Sequence, residues 1–142
     1  MQVAYRLIGL DENYVEGMKR WDELLKSLPD DLTEAVRTIL DAKNMTWEKL
    51  AEELEVSRTA LYKWIGQDRI SLRHVVAICI ALNLRADICE ALVRIAGYAF
   101  RNTVEHMLLH SFLYDTADFT ISKANRLMEK EGLPKLTSGK EE

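Results

Sequence analysis

Between Thr46 and Ile65 the chain reads Thr-Trp-Glu-Lys-Leu-Ala-Glu-Glu-Leu-Glu-Val-Ser-Arg-Thr-Ala-Leu-Tyr-Lys-Trp-Ile, a stretch that few arrangements can bury. Two apolar sets at helical spacing stand almost end to end. Leu50, Ala51 and Leu54 give a first helix, about 46–54, one inward side, and Leu61, Trp64 and Ile65 do the same for a second. Ser57 opens the second helix, because its hydroxyl can accept a backbone N–H from the first turn. Only Glu55 and Val56 separate the pair, so the two helices meet at a tight turn and need a third to cover them. Ala51 falls where the helices would cross, and a bulkier side chain would push them apart. Val56 fills the space beneath the turn, Leu61 returns to the same core, and Trp64 closes its far end. The second helix then turns Ser57, Arg58, Thr59, Tyr62 and Lys63 outward.

A short helix that displays small polar and cationic side chains suits the DNA major groove. These residues resemble the helix-turn-helix of the Cro and phage lambda repressor group, the XRE family, over about residues 32–84. Ser71–Leu84 is similar to that family's fourth helix. The resemblance implies a five-helix lambda-repressor-like core; with no period-two alternation over any useful length, the expected fold is all α, that core flanked by an N-terminal helix and a C-terminal helical extension. The resemblance also implies sequence-specific binding of double-stranded DNA and transcriptional regulation, with helix 57–65 in the groove. Arg58, Thr59 and Lys63 are the expected base contacts, with Arg58 able to make a paired bond to guanine. Ser57, Tyr62, Arg69 and Arg73 are the expected phosphate contacts. Two positions depart from the family pattern. Glu55 stands where glycine is usual, at a cost of roughly 1 kcal/mol in left-handed backbone, and Trp47 stands where glutamine often anchors a phosphate. With the acidic Glu48, Glu52 and Glu53, they motivate an alternative: a protein-interaction module of the same fold that does not bind DNA.

The remaining segments predict further helices. Val15, Met18, Trp21, Leu24, Leu25 and Leu28 are apolar near a 3.6-residue period over 12–27, ended by Pro29. Leu32, Val36, Ile39 and Leu40 define a helix that Asp30 or Asp31 can cap. Ser71 caps the next helix, with His74 expected on its surface. Ile88, Leu92 and Ile95 define another, closed at Gly97. In 104–113, Val104, Leu108 and Phe112 form one stripe that Met107, Leu109 and Leu113 widen, which predicts burial on more than one side. A last helix covers about 120–131; residues 120–136 are similar to the C-terminal ends of XRE-like regulators of Gram-positive bacteria, and 137–142 are expected to fray. The divisions expected are 1–31, 32–97 and 98–142. Helix 104–113, helped by 12–27, is the candidate contact of a homodimer, since one recognition helix spans few base pairs.

Charge sharpens the expectation. The formal net charge is −4, yet residues 32–85 hold eight basic and seven acidic side chains between two more acidic flanks. The sign suits a DNA face, and a dimer needs few cations per subunit. Hydrophobic residues make up 48% of the chain, too many for wholesale disorder. The longest apolar run, Val75–Leu82, is too short to cross a membrane, and the first residues lack a secretory signal's blocks, so a cytoplasmic address is expected. Cys79 and Cys89 lie in apolar helices without metal-ligand spacing and are expected to be buried thiols. His106 and His110 share one helical turn, a metal-compatible spacing, but no third ligand has a matching position, so neither metal nor cofactor is expected. No Gly-rich phosphate loop, serine elbow or His-Glu-x-x-His is present, which argues against an enzyme. Any small-molecule effector is left open.

Overall fold

The structure, a computed structural model, describes residues 12–138. Among these residues it is all helical. The elements are α1 (Glu12–Lys26), α2 (Leu32–Ala42), α3 (Trp47–Leu54), α4 (Arg58–Ile65), α5 (Leu72–Ala81), α6 (Ala86–Ile95), α7 (Val104–Phe112) and α8 (Ile121–Lys130). None of these helices is long and apolar enough to cross a membrane.

Short polar side chains set the starts. Asp31, Thr46, Ser57, Ser71, Thr103 and Thr120 each accept the backbone N–H three residues on, at 3.0–3.3 Å. Such bonds satisfy donors that the helix itself leaves unpaired. Among the helices whose N-cap residue is described, only α6 begins without one. Its preceding Arg85 instead reaches Asp87 at 2.7 Å and Asp22 of α1 at 2.9 Å, tying the N-terminal helix to the bundle.

Left-handed residues set the stops. Asn44, Glu55, Asn83, Gly97 and Gly132 all have positive φ. In each case the next amide reaches back five residues, as in Val56 to the Ala51 carbonyl and Leu133 to that of Met128. That closure satisfies carbonyls at the helix end and fixes the exit direction of the chain.

Helix α5 is the centre. Leu72 and every residue from His74 to Ile80 are buried on it, the condition of a helix apolar all round. It packs against α3, α6, α7 and α8, while α2 and α1 lie against α6. Phe112, Ile39, Leu40, Leu50, Leu54, Leu61, Ile88 and Leu92 fill the space between. Cys79 and Cys89 are both buried and unbridged.

Three expectations need correction. His74 is not on the surface but 1% exposed, because the C-terminal segment covers it. Thr137 and Ser138 do not fray: the Thr137 hydroxyl accepts from the Asn125 amide at 3.2 Å and the Ser138 carbonyl accepts from His74; residues 139–142 lie outside the described part. Helix α7 is buried on one side rather than several. Leu109 and Phe112 face inward, while Val104 is 65% and Met107 60% exposed.

Candidate nucleic-acid interface

Helix α4 stands at one end of the bundle. Leu61 and Trp64 are buried, Ala60 and Ile65 half-buried, and Ser57, Arg58, Thr59, Tyr62 and Lys63 exposed. The inward set anchors the helix from several directions. Ala51, 3% exposed, keeps α3 close beneath it. The Thr33 hydroxyl donates to the Ile65 carbonyl at 3.4 Å, which ties α2 to the far end of α4. The imidazole of His74 stacks on the Trp64 indole, with ring centres 3.7 Å apart and planes 8° from parallel.

That stack continues into the tail. His74 donates through Nε2–H to the Ser138 carbonyl at 2.7 Å, which leaves Nδ1 as a lone pair in a buried setting without a hydrogen-bond partner. Burial is the main reason its pKa falls to about 4, with the neighbouring Arg73 charge lowering it further and the Ser138 bond opposing. Leu136 is fully buried, and its amide donates to Asn125 Oδ1 of α8 at 2.7 Å. The segment 133–138 therefore reaches α4 through His74, on the side where Trp64 is buried.

The turn between α3 and α4 carries Glu55 at φ 63° and ψ 38°, a left-handed position. Its carboxylate accepts from the Ser122 hydroxyl of α8 at 3.2 and 3.3 Å. Helix α8 thus places a donor beside the acidic residue that stands where glycine is usual.

The seven expected contact residues differ in setting. Thr59, Tyr62 and Lys63 are exposed on α4, and Ser57 is exposed while capping it. Arg58 is also exposed but forms an ion pair with Glu48 at the start of α3. Arg69 folds back onto the loop after α6: its guanidinium donates to the Gly97 carbonyl at 2.7 Å and lies 4.2 Å over the Tyr98 ring. The Tyr98 hydroxyl donates to the Ile70 carbonyl at 2.8 Å, closing that latch. Arg73 is half-buried on α5. Lys49 is engaged with Glu52 and Glu53, at 3.5 Å each. The Glu48–Arg58 pairing is the contact the sequence reading missed. Ten residues apart in the chain, the two come together only because both helix starts lie on one side of the turn.

The two histidines of α7 go separate ways. His106 Nδ1 accepts the Arg101 amide N–H at 2.8 Å, and His110 stacks on Phe100 and donates to Glu90 at 3.0 Å. Among the described residues no group of three or more His, Cys, Asp or Glu side chains is placed to hold a metal ion.

Residues 35–93 match the family model described as the Cro/C1-type HTH DNA-binding domain. No curated protein and no solved structure matches the chain. The match begins inside α2 and ends inside α6, so it contains the whole of α3, α4 and α5 together with the α3–α4 turn. Helix order, crossing residue and cap all fall within this one stretch, which is similar to a Cro/C1-type HTH DNA-binding domain over residues 35–93.

Proposed function

We propose that this protein binds double-stranded DNA sequence-specifically and regulates transcription, with α4 lying in the major groove. The observation that carries this reading is the two-sided character of α4. Its apolar side is fixed by α3, α2 and the His74 stack, and its outer side is open over Ser57, Arg58, Thr59, Tyr62 and Lys63. In this reading Arg58, Thr59 and Lys63 meet base edges. Ser57 and Tyr62 meet phosphates from the same helix, and Arg69 and Arg73 approach the backbone from the loop and from α5. Arg69 can use guanidinium N–H groups left over from its Gly97 bond, since the group has five.

Two copies are needed for useful affinity, because one helix covers few base pairs. Val104 and Met107 on α7, with Tyr14, Val15 and Met18 on α1, are exposed apolar side chains that support a homodimer. Val104, Met107, Leu108 and Leu127 line a groove of about 310 Å³ between α7 and α8.

Selection of bound duplexes from a random pool tests the reading directly. A recovered motif with two half-sites about one helical turn apart is the expected result. Arg58→Ala with Lys63→Ala should abolish retention while leaving the helical signal intact. The rival reading, a protein-binding module, draws on the carboxylates of Glu48, Glu52 and Glu53 beside α4. Recovery of no motif, with retention unchanged by the double substitution, would favour it.

A further inference from the structure

We propose that Glu48 is a specificity-determining positioning residue, acting through Arg58 to suppress binding to DNA of the wrong sequence. This deepens the groove-reading role of α4 and rests on it. Glu48 lies in the first turn of α3, Arg58 is the first residue of α4, and the carboxylate and guanidinium pair across the turn. Both side chains are more than half exposed, at 63% and 56%. In water such a pair contributes little to stability, so its consequence lies in what Arg58 can do elsewhere.

An unpaired arginine at the head of a recognition helix finds phosphate on any duplex. Each such contact releases counterions and raises affinity without regard to sequence. Glu48 opposes this in two ways. It offsets the arginine charge that would attract phosphate, and it holds the guanidinium on the α3 side of the groove. The guanidinium fork keeps N–H donors on its other edge, and guanine offers two acceptors, O6 and N7, that one edge can meet together. A guanine at the matching position therefore engages Arg58 with Glu48 still in place, whereas a phosphate must displace a carboxylate. The pair converts a general cation into a conditional one.

The test measures wild type, Glu48→Gln, and Glu52→Gln as a charge control on the same helix, against the selected duplex and a scrambled one across a salt series. Each is also made in an Arg58→Ala background. Glu48→Gln is expected to tighten scrambled-duplex binding by roughly tenfold per subunit near 0.1 M salt, and to steepen its salt slope by about one per subunit. Binding to the selected duplex should change less, so the ratio between the two falls. Glu52→Gln should leave that ratio unchanged, and Arg58→Ala should erase the effect of Glu48→Gln. If Glu48→Gln and Glu52→Gln shift both duplexes alike, or the Glu48 effect persists without Arg58, the positioning role is overturned while groove reading stands. Loss of selected-duplex binding in Glu48→Gln with no gain on scrambled DNA also overturns it. If wild type selects no sequence, both readings fall.

Discussion

Glu55 and His74 are the residues whose chemistry runs most against their positions. Glu55 occupies left-handed backbone that disfavours any side chain, and its compensating bond to Ser122 is exposed. Glu55→Gly should therefore stabilise the fold by about 1 kcal/mol, read as a higher urea midpoint with unchanged slope, and Ser122→Ala should move it by less than about 0.5 kcal/mol. His74 gives a pH signature. Its folded pKa, about 4, lies below the ordinary value of 6.5, so the unfolded chain binds the proton more readily. The stability that follows from keeping His74 neutral is complete above pH 6.5 and is lost as pH falls toward 4. The difference is on the order of 3 kcal/mol for a shift of this size. His74→Gln should be less stable than wild type at pH 7 but should lose less stability between pH 6.5 and 4. Parallel pH curves for the two proteins would contradict this. The two effects were not equally open to sequence reasoning. Left-handed geometry at Glu55 is what the family resemblance implies, since glycine is usual at that place. The burial of His74 has no such signal, because a histidine three residues past a capping serine looks the same whether solvent or a distant segment lies over it.

The helices themselves were legible because period, cap and stop coincide. Around α4, apolar spacing located Leu61 and Trp64, Ser57 located the start, and the observed bounds differ from the expected ones by a residue. Where an apolar set is broad, the pattern says how much surface is oily but not how much is covered. That is why α7 was expected to be buried on several sides and instead leaves Val104 and Met107 open. The 133–138 strap has no helical period, and its docking depends on residues far away in the chain. Yet it is linked to α4 through the Ser138–His74–Trp64 succession, with Leu136 fully buried two residues away. Leu136→Ala should cost about 2–4 kcal/mol, as a fully buried leucine does. It should also loosen α4, so that hydrogen exchange at the amides of Leu61 and Trp64 accelerates more than exchange in α2. A uniform change across both helices would mean that the strap stabilises the bundle without acting on α4 in particular.

For the molecule as a whole, an acidic chain that binds a polyanion must concentrate its cations on one face and use that face more than once. The net charge of −4 doubles in a dimer, and long-range repulsion from DNA grows with it. Two copies of α4 offset this because each phosphate neutralised multiplies affinity through counterion release. Dimerisation and DNA retention should accordingly be lost together. Val104 and Met107 are the exposed apolar side chains at the centre of the proposed α7 contact, and neither belongs to the buried core. Val104→Glu with Met107→Glu should leave the thermal midpoint of the isolated chain nearly unchanged, convert twice the chain mass to one chain mass in sedimentation at micromolar concentration, and weaken binding to a two-half-site duplex by at least a hundredfold. Binding to a single half-site should change far less, since α4 is untouched, apart from a small loss from the added negative charge. A double variant that still sediments as a dimer would move the subunit contact away from α7. A wild type that sediments as one chain mass would leave a single α4 to supply all the affinity, and the selected motif should then contain one half-site rather than two.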